Sequence, residues 1–171
     1  MSVRRPSKPG YTLLEFLLYI GIVSGVLLVA SNVLFTLLQG KAKLQAVEEV
    51  SQNVRVGMDR MSGAVRNAAS VTTPAVGATG TSLILQNTSA TTSPTTFVAQ
   101  NGILYMKEGA AATTTLMSND VTVRFLQFTN VGGTSTPATI RIELAVSSTN
   151  PGNDPNYEFG VRLFGTANVR R

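Results

Sequence analysis

The chain has 171 residues, about the length of one domain with an additional segment. It contains no cysteine and no histidine, which excludes disulfides, thiolate metal sites, thiol nucleophiles and imidazole bases. The formal net charge is +5, but three of the 14 basic residues lie in the first ten positions. The remaining charges are nearly balanced and do not indicate a nucleic-acid surface.

A short basic segment precedes a long apolar one. Arg4, Arg5 and Lys8 come before residues 16–40, which are 25 consecutive residues without a charged side chain. As a helix this run is about 37 Å long, enough to cross a hydrocarbon core of about 30 Å. A cleaved secretory signal has an apolar region of only about 7–15 residues, so we expect a transmembrane helix over about 13–39. The basic residues favour a cytoplasmic N-terminus and an extracytoplasmic C-terminal part.

Glu15 is an ionisable residue at the start of this apolar helix. A carboxylate inside a membrane helix costs about 3 kcal/mol on insertion scales, so its presence needs an explanation. In one interpretation, Glu15 lies in the first helical turn and complements the helix dipole. In the other, a cut before Tyr11 creates an α-ammonium group four residues upstream, which pairs with Glu15 of the same or a neighbouring chain. The residue pattern leaves both open.

Residues 10–15, with the sequence GYTLLE between the basic leader and the apolar run, resemble the class III signal of type IV prepilins. The pseudopilins of type II secretion have the same signal. The resemblance implies that prepilin peptidase removes a leader of residues 1–10 by cutting after Gly10 and then N-methylates Tyr11. It also implies that Glu15 sets the register of subunits in a filament. The sequence differs from the family pattern at Tyr11, where phenylalanine is usual, and at Asn32, where many major pilins have proline.

Two later segments, residues 65–68 (VRNA) and 159–163 (FGVRL), are similar to minor pilins and J-type pseudopilins. The resemblance therefore implies a structural subunit of a type IV pilus or of a type II secretion pseudopilus, at the tip or in initiation. Its implied partners are prepilin peptidase, other pilins or pseudopilins through the N-terminal helix, the inner-membrane assembly platform and the lipid bilayer. No cofactor or small-molecule substrate is expected, whereas binding of nucleic acid is not favoured but stays an open alternative. The chain would reside in the inner membrane first and at the cell surface after assembly.

Gly21 and Gly25 have the four-residue spacing of small side chains that lets two membrane helices approach closely. Glycine is also common in membrane helices without any such role. The spacing is therefore consistent with a helix-packing face and with an ordinary membrane helix.

The helix is expected to continue beyond the membrane. No proline interrupts residues 11–70, and over residues 41–70 apolar side chains recur at steps of three or four, as in an amphipathic helix. Such a stripe must be covered, and the C-terminal half of the chain is the expected cover. Met58 and Met61 are interpreted as core residues rather than cofactor ligands. The stripe comprises Leu44, Val47, Val50, Val54, Met58, Met61, Val65 and Ala68.

Residues 71–171 are expected to form a β-rich head. Asn101-Gly102 predicts a two-residue hairpin turn. Runs with the period of two that is typical of half-buried antiparallel strands cover residues 83–85, 97–99, 103–106, 121–128, 140–146 and 157–164. Exposed loops are expected over residues 72–81, 87–95, 110–115, 131–137 and 147–156. Together these predict an α+β fold with one small sheet of six or seven strands on a long helix, which is the type IV pilin-like architecture that the resemblance implies.

Two other classes of protein were weighed against a filament subunit. An enzyme is not expected, because the acidic residues of the head are scattered and no phosphate-binding glycine motif is present. Residues 153–156 (NDPN) are interpreted as a turn, since they lack the ligand spacing of a calcium loop. A single-pass membrane-anchored binding module or adhesin that never polymerises would have the same anchor and head. The scattered acidic residues of the head, which do not suggest a catalytic site, are Glu108, Asp120, Glu143, Asp154 and Glu158.

Overall fold

The computed structural model describes residues 10, 12–133, 137–150 and 158–170. The basic leader residues, Tyr11 and the predicted turn at 153–156 lie outside the described residues. The chain divides into two compact units, one ending at Lys41 and the other beginning at Ala42.

One long helix, α1, covers Leu13–Asn67. The predicted helix reached residue 70, and the difference has a physical cause at the C-terminal end. The backbone N–H of Ala69 donates to the carbonyl of Gln86 at 2.8 Å, so β-sheet hydrogen bonding replaces helical hydrogen bonding at this point. Arg66 in the last turn complements the negative end of the helix dipole.

In the described part of the chain, nine antiparallel strands form two sheets rather than the single sheet that the alternating runs predicted. The first sheet has the order β1-β3-β4-β5-β6, with β1 at Ser70–Thr73, β3 at Ser82–Gln86, β4 at Thr95–Gln100, β5 at Ile103–Glu108 and β6 at Thr114–Thr115. The second has the order β2-β7-β8-β9, with β2 at Thr79–Gly80, β7 at Val121–Asn130, β8 at Thr139–Ser148 and β9 at Gly160–Asn168. The short strands β1, β2 and β6 include residues that were expected to lie in loops.

The predicted hairpin turn at Asn101-Gly102 is confirmed. Gln100 and Ile103 pair directly across the turn, and both central residues have positive φ angles, 52° for Asn101 and 77° for Gly102. Positive φ at both positions is the requirement of a type I′ turn, whose twist matches that of the flanking strands. The carbonyl of Gly102 also accepts a hydrogen bond of 2.7 Å from the backbone N–H of Val123, which ties the first sheet to β7.

The hydrophobic core lies between the C-terminal half of α1 and both sheets. The amphipathic stripe is confirmed from Val50 onward, and Met58 and Met61 are core residues as predicted. Leu44 was placed in the same stripe but is 70% exposed, so the prediction is wrong for this residue. The sheets contribute mainly the fully buried side chains of Leu83, Leu85, Phe97, Leu104, Phe128, Ile140, Ile142 and Leu144.

Two glycines mark where α1 and the sheets approach most closely. A Cβ atom added to Gly57 would lie 2.5 Å from Met117 Cε and 3.4 Å from Leu104 Cδ2. A Cβ atom added to Gly165 in β9 would lie 2.8 Å from the sulfur of Met58. Larger residues at either position would therefore need the core to rearrange.

Asn130, at the end of β7, is a buried polar residue that holds the segment between β1 and β2. Its side-chain amide donates to the carbonyl of Pro74 at 3.0 Å, and its Oδ1 accepts from the backbone N–H of Gly132 at 3.2 Å. Its backbone N–H donates to Ala78, and its carbonyl accepts from Gly77. One residue thus satisfies polar groups of the segment between β1 and β2 and of the chain just after β7, as burial requires.

We expect Asn130→Ala to lower the free energy of unfolding by about 1–3 kcal/mol, because the Pro74 carbonyl and the Gly132 N–H lose their partner. Urea unfolding of the full-length protein in detergent, followed by circular dichroism, measures the change. Asn168→Ala, at an exposed amide of β9, is the control and should change stability by less than about 0.5 kcal/mol. Equal stability of the two variants would contradict the role assigned to Asn130.

Candidate functional site

The N-terminus of α1 is fixed by a cap at Thr12. Thr12 Oγ1 accepts a hydrogen bond of 3.3 Å from the backbone N–H of Glu15, and the Thr12 carbonyl accepts one of 3.2 Å from the N–H of Phe16. These two bonds make Thr12 the N-cap residue and Glu15 the third residue of the first turn. The helix therefore begins at Leu13, the third residue after Gly10, where the cut is predicted.

Thr12 and Glu15 have the spacing of a capping box, in which a threonine is followed three residues later by a glutamate. The sequence reasoning missed the role of Thr12, although this spacing before an apolar run is a recognisable helix-start signal. Glu15 lies at the positive end of the helix dipole, which is the geometry of the first interpretation of this residue. The second interpretation involves Tyr11, outside the described residues, and stays a prediction.

Glu15 has no ion-pair partner within the described residues. It is also the sole charged residue between Leu13 and Gly40 in the sequence. Its carboxylate is therefore an isolated negative charge at one end of an otherwise uncharged helical surface.

The first half of α1 is both apolar and exposed. Every residue from Leu13 to Lys41 is exposed, including Phe16 at 62% and Phe35 at 65%. An 18-residue window of this helix has a mean hydropathy of 2.4, and none of it is buried. By length and composition, α1 can cross a membrane. A continuous apolar surface of this kind is typical of contact with lipid or with other apolar helices.

Gly10, Gly21 and Gly25 are all exposed. A Cβ atom added at any of the three would meet no other atom within 4 Å. Within the described residues, no other part of the chain therefore covers the helix surface at Gly21 and Gly25. The structure brings Thr12 and Glu15 together, whereas the two helix glycines lie farther along α1.

The described residues of the head contain two acidic side chains with defined polar partners and no metal-binding cluster. Among the described residues, no three acidic side chains come close enough together to hold a metal ion. Glu143, considered above as one of the scattered acids, forms an ion pair with Arg162, and its side chain is only 14% exposed. Asp120 accepts a hydrogen bond from the Ser118 hydroxyl at 2.5 Å in an exposed turn. Both carboxylates are thus paired with neighbouring polar groups of the head.

Neither a protein-family model, nor a curated protein, nor a solved structure matches this chain significantly.

Proposed function

We propose that the chain is a structural minor pilin or pseudopilin, a subunit of a type IV pilus or of a type II secretion pseudopilus. Prepilin peptidase cleaves after Gly10 and N-methylates Tyr11, and the subunit waits in the inner membrane before assembly brings it to the cell surface. The observation that carries the proposal is the single carboxylate, Glu15, which ends the predicted processing motif and lies in the first turn of an exposed apolar helix.

The chemistry of Glu15 supports assembly through this end of the helix. The helix dipole offsets about 0.3–1 kcal/mol of the cost of placing a carboxylate there, which is less than the cost of about 3 kcal/mol on insertion scales. A positively charged partner offsets the part of this cost that the helix dipole does not. The N-terminal amine of a neighbouring mature subunit is such a partner, and it forms a charge-assisted hydrogen bond that is strong in apolar surroundings.

The isolation of Glu15 also specifies a single register. Residues 13–40 contain no second charged side chain. A neighbour shifted along the helix would therefore leave both its amine and the carboxylate unpaired, and an unpaired charge in apolar surroundings is costly. This gives discrimination against wrong alignments in addition to attraction for the correct one.

The division of burial along α1 agrees with this role. The second half of the helix is covered by the two sheets of its own chain, whereas none of the described residues buries the first half. The first half is therefore the surface available to other subunits and to lipid. Gly21 and Gly25 lie on it and allow a neighbouring helix to approach closely.

Processing is tested by co-expressing the full-length chain with an active prepilin peptidase or with an inactive one. We expect the intact mass to fall by residues 1–10 and to rise by one methyl group, located on Tyr11, only with the active enzyme. Gly10→Val should block the cut because the side chain obstructs the backbone, whereas Gly21→Val should leave it unchanged. An unchanged mass with the active peptidase would favour the alternative, an anchored binding module that does not polymerise.

A further inference from the structure

The second sheet ends in a long edge strand. β9 has nine residues and is the last strand in the order β2-β7-β8-β9. The other three edges belong to β1 with four residues and to β2 and β6 with two each. Short edge strands offer few backbone groups to another chain, whereas a long one is a template for pairing. β9 is therefore the edge through which this head can bind a further strand.

The outward-facing backbone groups of β9 follow from its register. The N–H of Val169 donates to the carbonyl of Ala138 at 3.0 Å, and the N–H of Ser148 donates to the carbonyl of Phe159 at 2.8 Å. Hydrogen-bonded pairs alternate along antiparallel strands, so the odd-numbered residues of β9 bond to β8. The even-numbered residues direct their N–H and carbonyl groups away from the sheet. They are Gly160, Arg162, Phe164, Thr166 and Asn168.

These outward groups have no hydrogen-bond partner within the described part of the chain. The strand contains no proline and no lysine, which are residues that commonly protect an edge. The Phe164 side chain beside this edge is 65% exposed. Both the backbone and the neighbouring side chain are thus available to a partner.

The five outward positions are arranged symmetrically about Phe164. In an antiparallel pair of two β9 strands related by a two-fold axis at Phe164, the two phenylalanines face each other. Arg162 then faces Thr166 of the second copy, and Gly160 faces Asn168. No two like charges are opposed, which would be destabilising. Arg162 is in addition neutralised by Glu143 of its own chain and lies 5.0 Å from the ring centroid of Phe125.

We propose that two copies of this chain associate through β9, antiparallel and in the register that places Phe164 opposite Phe164. The pairing joins the two second sheets into one continuous sheet. An aromatic cross-strand pair adds to the stabilisation that the backbone hydrogen bonds provide. This interface goes beyond the proposed filament role, because it involves only the head and is independent of processing at Gly10.

Disulfide cross-linking of the full-length protein in membranes tests the register. The chain has no cysteine, so each introduced cysteine is its only thiol. Phe164→Cys should form a dimer, since directly opposed Cα atoms about 5.5 Å apart lie within the range of a disulfide. Gly160→Cys and Asn168→Cys should each fail alone, because eight residues separate the two thiols by about 26 Å. A mixture of these two variants should cross-link.

Three further variants distinguish strand pairing from cross-linking by random collision. Thr166→Pro removes an outward N–H while leaving the bonds to β8 intact, and proline is tolerated on an edge strand in this orientation. When it is combined with Phe164→Cys, the dimer should be lost, whereas Thr166→Ala should retain it. Thr113→Cys, at an exposed position just before β6, measures how much cross-linking random collisions produce.

The proposal is overturned if Phe164→Cys cross-links no more than Thr113→Cys. It is also overturned if Gly160→Cys or Asn168→Cys alone cross-links as well as their mixture, or if the disulfide partner is a different protein. The assay runs equally well with and without prepilin peptidase, so its outcome is separate from that of the processing experiment.

Discussion

Replacing Glu15 with Gln is expected to lower incorporation of the chain into filaments at least about tenfold. A charge-assisted hydrogen bond contributes about 1.5–3 kcal/mol, and about 1.4 kcal/mol corresponds to a tenfold change in an equilibrium constant. Gln has nearly the same shape as Glu, so the variant removes the charge and little else. The measured quantity is the ratio of the chain in sheared filaments to the chain in the membrane fraction, by quantitative immunoblotting.

Glu48→Gln is the matched control for this experiment. Glu48 is an exposed carboxylate on the same helix, but it lies beyond the apolar half. We expect normal incorporation of this variant and normal removal of residues 1–10 in both variants, because Gly10 is unchanged. If the two variants enter filaments to the same extent, the charge of Glu15 has no part in assembly.

Gly57→Val is expected to destabilise the folded protein by about 1–3 kcal/mol more than Gly63→Val. The Cβ atom alone would contact Met117 Cε at 2.5 Å, and the flexible end of this methionine can move aside. The additional methyl groups of valine must then be accommodated beside Leu104 and Leu144, whose Cδ2 atoms are 3.4 and 3.6 Å from the Cβ position. Overpacking of this kind forces side chains from their preferred rotamers.

Gly63→Val provides the comparison because the same substitution is made in the same helix, with the same change in helix propensity. A Cβ atom at Gly63 meets nothing within 4 Å. Urea unfolding of both full-length variants in detergent gives the difference in free energy. If the two variants unfold at the same urea concentration, the close contact between α1 and the sheets at Gly57 contributes nothing to stability.

The helix could be predicted from the sequence because the spacing of its apolar residues is a local pattern. The absence of proline and the three- and four-residue steps predicted one continuous helix and identified the buried face from Val50 to Ala68. The periodicity shows which face of the helix is apolar, but it does not show how far along the helix the sheets cover that face. This is why Leu44, in the correct phase, is exposed.

The sheets were only partly predictable. A period of two identifies the inner face of a strand, and the inward residues Ile140, Ile142 and Leu144 are buried as expected. The same period carries no information about which strand lies alongside, so the division into two sheets was missed. The short strands β1 and β2 lie in a segment of small and polar residues, and distant partners such as Asn130 hold that segment in place.

The candidate site depends mostly on short-range signals. The position of Glu15 in the first turn was one of two interpretations that the sequence left open, and the cap at Thr12 could have been found from its spacing to Glu15. The edge position of β9 could not, because the order of strands in a sheet is set by contacts between distant residues. Whether the backbone N–H and carbonyl groups of a strand lack a partner cannot be inferred from a single sequence.

The unburied apolar half of α1 has a consequence for how the chain changes location. From Leu13 to Gly40, its surface would cause aggregation in water, since nothing in its own described structure shields it. Lipid and neighbouring helices are the two environments that suit it. As the helix leaves the lipid it must therefore contact neighbouring helices at once, so that the chain moves directly from one environment to the other without a water-soluble intermediate.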